Sequence, residues 1–150
     1  MKKYRFGFSP MGFFSFLLVM LPNIIWMINP PVNNPVAGNT ASNPMIEIVQ
    51  NVSQYSMIAL LTILIHKENK RDRMNKVLLG VILFCLLGYY ALWITYYTGI
   101  IYPWVLVGLA VLPSLYFLLI CIKLKNTVAI IPSIIFGITH VGITCSNFLS

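Results

Sequence analysis

Apolar residues fall into five long runs, about residues 11–28, 45–65, 77–98, 103–122 and 127–148, separated by short polar stretches. Each run approaches the ~20 residues that carry a helix across ~30 Å of hydrocarbon. The predicted fold class is all-α: an integral membrane bundle of five transmembrane helices, one domain over residues 1–150. Ser9-Pro10 reads as N-cap and first helical residue of the first span, and Pro103 opens the fourth, with Trp104 at the boundary. Gly99 to Tyr102 is short enough to make the third and fourth spans an antiparallel hairpin. Pro22 and Pro113 predict kinks, and Pro132 lies one turn into the fifth span. Gly80 and Gly88 in the third span, and Ser133 and Gly137 in the fifth, are small residues that permit close helix packing.

Charge orients the runs. The polar stretch His66 to Lys76 carries five of the ten Lys/Arg residues; Lys2, Lys3 and Arg5 head the chain, and Lys123 and Lys125 sit between the last two spans. Five crossings put all ten on one side. The positive-inside rule then predicts a cytoplasmic N-terminus and an external C-terminus. The outer loop Asn29 to Pro44 has no charge and is dense in Pro, Asn, Gly and Ser, which makes turns and extended chain rather than a domain. Tyr4, Phe6 and Phe8 suit the inner headgroup boundary and Trp26 the outer one. Tyr89, Trp93, Tyr96 and Tyr97 share a face of the third span and read as an aromatic belt plus packing. The first run is longer than the ~7–15 apolar residues of a signal peptide, and no A-x-A site follows, so it is expected to stay as a helix.

Composition agrees: 59% of residues are hydrophobic and 9% charged, against about a quarter charged in soluble domains. The net charge of +7 is gathered at span ends, where it faces anionic lipid headgroups at the inner surface. No basic helix face with interleaved aromatics is present, so nucleic acid is not an expected partner. Cys85, Cys121 and Cys145 lie at three depths with no C-x-x-C spacing, and read as small buried hydrophobes. Glu68 and Asp72 balance charge in the basic stretch. Asn51-Val52-Ser53 matches a glycosylation acceptor by letters but falls within a predicted helix. No hydrolase, zinc-protease, Walker or dinucleotide pattern occurs. His66 and His140 are placed a membrane apart, so they cannot share a metal. Enzyme activity, cofactors and a metal site are therefore not expected.

Polar side chains inside the spans collect at one depth. Glu47, Gln50, Asn51 and Gln54 fall within about 100° of the second helix, and Ser133, Gly137, His140, Thr144 and Asn147 within about 80° of the fifth. At 1.5 Å per residue, His140 lies about 12 Å below the outer boundary, Gln54 about 13 Å and Asn23 of the first span about 8 Å. Unpaired polar groups are costly in lipid, so these side chains should face each other or a wet cleft. The expected site is an outward-facing polar cleft bounded by helices 1, 2 and 5. It would be formed by Asn23, Glu47, Gln50, Asn51, Gln54, His140, Thr144 and Asn147, with Glu47 and His140 as its ionisable members. Interhelical hydrogen bonding within the bundle is the competing role for the same residues.

The opening KKYRFGFSPMGFFSFLLVMLPNIIWMINPP, with its Phe-rich start and P-N-I-I-W turn, resembles the start of small multi-pass membrane proteins of bacteria. The resemblance covers roughly the first third of the chain, implies a bacterial cytoplasmic-membrane address and carries over no functional residue. Two functions are expected: a small transporter or ligand-binding protein using the cleft, or an accessory protein that packs against another membrane protein. Self-association into a homo-oligomer is open to either, because five helices make a small bundle.

Overall fold

The computed structural model describes residues 3–67 and 76–150 and is all-helical. Five helices follow in order: α1 (Pro10–Ile28), α2 (Pro44–Ile63), α3 (Lys76–Tyr97), α4 (Pro103–Lys123) and α5 (Thr127–Phe148). The four other than α2 are long and apolar enough to cross a membrane. α2 has similar length, 20 residues, but Glu47, Gln50, Asn51 and Gln54 dilute its apolar character. The middle of the basic stretch, residues 68–75, lies outside the described residues.

α4 is the central helix, with Val105, Tyr116, Phe117, Ile120 and Cys121 all buried. It packs along α3 on one side and α5 on the other, and α2 lies along α5. α1 rests more loosely across α2, α4 and α3. The outer faces are apolar: Phe14, Leu18, Phe84, Leu87, Ile131 and Ile138 are all exposed. A continuous apolar exterior suits lipid rather than water.

Helix starts follow the local chemistry. The Ser9 hydroxyl accepts from the Gly12 N–H at 3.2 Å, and Pro10 takes the first helical position, where no donor is needed. Pro44 and Pro103 open α2 and α4 in the same way. α3 stops at Gly99, whose φ of 85° lets the Gly99 and Ile100 N–H groups turn back onto the Tyr96 and Thr95 carbonyls. α4 stops with the same geometry, Lys125 (φ 53°) standing where glycine is usual. There the Lys125 and Asn126 N–H groups bond the Ile122 and Cys121 carbonyls.

The basic end is more ordered than a simple charged head. β1 (Tyr4–Phe6) pairs antiparallel with β2 (Leu64–His66), in register Tyr4 to His66. The second helix therefore stops at Ile63, not Ile65, and the chain beyond it is extended. The Tyr4 hydroxyl accepts from the Thr127 N–H at 3.1 Å and lies 2.5 Å from Thr127 Oγ1. Asn126, only 1% exposed, closes this end. Its side-chain oxygen caps α5 at the Ala129 N–H (3.1 Å), and its amide donates to the Leu60 and Leu64 carbonyls at 2.9 and 3.1 Å. The N-terminal head, the Lys123–Lys125 turn and Lys67 thus gather at one end of the bundle.

Glycines mark several of the helix contacts. A Cβ on Gly12 would stand 2.0 Å from the Leu61 carbonyl oxygen, so α1 and α2 touch through backbone there. A Cβ on Gly137 would stand 3.5 Å from Ser114 Cβ, which agrees with the packing expected at that glycine. Gly88 meets Leu112 at 3.0 Å, but a Cβ on Gly80 would meet nothing within 4 Å, so the expected close approach at Gly80 is absent among the described residues.

Pro22 has no N–H for the Leu18 carbonyl four residues back. The Tyr90 hydroxyl supplies the missing donor at 2.6 Å. Tyr90→Phe should therefore destabilise the protein by about 1 kcal/mol. A fall of about 2–4 °C in Tm is expected in detergent. An unchanged Tm would mean that the Leu18 carbonyl finds another donor.

Candidate functional site

Of the four α3 aromatics, three take the packing role and Tyr97 stays partly exposed. Tyr89, Trp93 and Tyr96 are buried, at 3%, 5% and 0% exposure, and their rings pack edge-to-face, with centroids 6.3 and 5.5 Å apart. Their polar tips tie α3 to its neighbours. Tyr89 Oη accepts from the Asn23 amide at 2.7 Å, and the Tyr96 hydroxyl donates to Asn34 Oδ1 at 2.8 Å. Trp26 also turns inward: its indole N–H donates to the same Asn34 oxygen at 2.8 Å.

The uncharged loop folds back over the bundle as a lid. A 3-10 turn at Pro35–Gly38 carries Val36 and Asn39 onto the helices. The Asn39 amide donates to Thr144 Oγ1 at 2.9 Å. The Asn147 amide donates to Asn39 Oδ1 and to the Thr40 carbonyl, both at 2.9 Å. Repeated asparagines (Asn29, Asn33, Asn34, Asn39, Asn43) were the available signal, because they can bond without charge.

Beneath this lid lies a cavity of about 260 Å³. All five helices contribute, not helices 1, 2 and 5 alone. α1 supplies Phe16, Val19 and Met20, and α4 supplies Leu106, Leu109 and Phe117. Asn23, Gln54, His140 and Thr144 line it together. Tyr89, Trp93, Trp26 and Asn39 also line it and were not expected to. Glu47, Gln50, Asn51 and Asn147 are not part of the lining. Glu47 sits in the first turn of α2, too near the helix start to reach the Gln54 level, so the cavity holds His140 without a carboxylate. Gln50 Oε1 is buried without a hydrogen-bond partner one turn above Gln54.

The polar groups of the lining are unequally occupied. Thr144 is spent, donating to the His140 carbonyl at 2.8 Å while accepting from Asn39. The Asn23 amide donates to Tyr89 Oη and to the Val19 carbonyl at 2.9 Å. The His140 ring stacks on Phe136, centroids 5.0 Å apart and planes 13° from parallel. Among the described residues, neither the His140 imidazole nor the Gln54 carboxamide has a hydrogen-bond partner, and no Lys, Arg, Asp or Glu lines the cavity. Such a site can hydrogen-bond a neutral head and surround an apolar body. It has nothing to neutralise an ion. Cys85, Cys121 and Cys145 are all free thiols, the first two buried.

No family model, curated protein or solved structure matches the chain. Its class is set by architecture: an all-helical bundle with four membrane-length helices around a lidded internal cavity.

Proposed function

We propose that the chain is a five-span protein of the bacterial cytoplasmic membrane, N-terminus inside and C-terminus outside, that binds a small uncharged molecule in its cavity. Its role is carriage or capture of that molecule. The fifth crossing is α2: its outward side chains Ile48, Val49 and Val52 are apolar and exposed, while Gln54 turns to the cavity. The clustering of the basic segments at one end supports the threading, because that end suits anionic headgroups.

The observation that carries the ligand reading is the pair of unspent polar side chains, Gln54 and His140, in a cavity whose lining is mostly apolar and holds no charged side chain. In a bilayer interior an unpaired polar group is costly, and a ligand head would satisfy both. Their convergence on one space favours ligand binding over an accessory role, in which the stripes would bond each other.

The test is thermal melting in detergent with a panel of medium-chain alcohols and alkylphenols. At a hundredfold excess over Kd a ligand stabilises by about 2.7 kcal/mol. That corresponds to a Tm rise of roughly 5–10 °C. Gln54→Leu combined with His140→Phe should abolish the rise without lowering the starting Tm, whereas Glu47→Gln should keep it. The reading fails if no neutral amphiphile raises Tm, or if the double variant responds like the parent.

A further inference from the structure

We infer that the cavity is loaded sideways from the bilayer, through the seam between α1 and α3, by a membrane-dissolved neutral amphiphile with a single alkyl tail. This rests on the ligand-binding reading and adds the ligand's class and its route.

A groove runs on the outside of that seam, walled by Pro22 and Ile25 of α1 and by Tyr90, Ile94 and Tyr97 of α3. Trp93 lines both this groove and the cavity, so one indole ring stands between lipid and the interior. The groove is apolar where it meets lipid: Ile25 and Ile94 are 55% and 66% exposed. An alkyl chain lying there would continue inward past Trp93.

The other approaches are closed more firmly. The lid is held by five hydrogen bonds through Asn34, Asn39 and Asn147. The basic end is sealed by Asn126 and by the β1–β2 pair. α1 and α3, by contrast, pack sparsely. Three hydroxyl contacts span the seam: Tyr89 with Asn23, Tyr90 with the Leu18 carbonyl and Tyr97 with the Asn29 carbonyl. Opening there breaks little apolar packing, and both edges of the gap then face lipid. A charged solute would gain nothing from such a route, and none of the lining would receive it.

The test uses the full chain in dioleoyl phosphatidylcholine vesicles, with Trp104→Phe to remove the lipid-facing indole. 10-Bromodecan-1-ol is the probe, a neutral alcohol whose bromine quenches Trp26 and Trp93. Saturable quenching reports binding, and its stopped-flow rate reports entry. Filling the groove with Ile25→Phe and Ile94→Phe should slow entry about tenfold and leave the final quench unchanged. Loosening the lid with Asn147→Ala, which removes two of its hydrogen bonds and no lining residue, should leave the rate as it was. Thr98→Phe, at the groove rim, serves if the double groove variant is not recovered folded. Entry that ignores the groove variants, or that accelerates when the lid is loosened, overturns the sideways route while binding stands. Absence of saturable quenching in the parent overturns the binding reading and this route together.

Discussion

Gly12→Ala is expected to be the most damaging single substitution in the chain. The new methyl would occupy a point 2.0 Å from the Leu61 carbonyl oxygen and 2.8 Å from its carbon, and both obstacles are backbone, which cannot rotate away. α1 must lift off α2. Overpacking of this kind costs about 3 kcal/mol. The expected fall in Tm is roughly 10 °C, followed in detergent by circular dichroism. Because α1 forms one wall of the cavity, the stabilisation by alcohols should disappear with it. Gly80→Ala is the matched control: its Cβ would meet nothing within 4 Å, and alanine favours helix by up to ~1 kcal/mol. Its Tm should be equal or higher. If Gly12→Ala melts with the parent, the α1–α2 contact is not the one described.

Asn126→Leu should rank second. One side chain caps α5 and bonds two carbonyls at the end of α2, and it is buried, so water cannot replace it. The lost cap is worth about 1 kcal/mol. Removing the donors from buried carbonyls adds about 1–3 kcal/mol. Asn126→Ser keeps a capping oxygen and loses the reach to α2, so its Tm should fall midway between the two. The ordering Asn, Ser, Leu in Tm separates this role from a mere preference for polar residues in a turn, which would leave serine equal to asparagine.

The helices were legible because their causes are local. Ser9-Pro10, Pro103 and Gly99 mark ends by backbone chemistry that needs no tertiary context. The meeting of Asn23, Gln54, His140 and Thr144 was legible too, since helical phase and depth follow from the 1.5 Å rise. Phase and depth do not say which helix stands opposite, however, so the contributions of α3 and α4 were missed. The tyrosines and Trp93 illustrate this: an aromatic near an outer boundary can face lipid or core, and only packing decides. Glu47 failed for the converse reason. It shares a helical face with Gln54, but two turns of rise separate them, and the cavity lies at the deeper level. Strand pairing between Tyr4–Phe6 and Leu64–His66 joins segments far apart in the chain and leaves no periodic trace in three residues.

Ligand, lid and portal all depend on α2 crossing the membrane with its polar face inward. The direct measurement is labelling of single cysteines in intact cells with a membrane-impermeant maleimide, after replacing Cys85, Cys121 and Cys145. Thr40→Cys, on the lid, and Ser150→Cys, at the C-terminus, should react from outside, and Arg5→Cys only after the cells are opened. If Arg5→Cys reacts from outside, or Ser150→Cys is shielded until lysis while Thr40→Cys reacts, the five-span threading is contradicted.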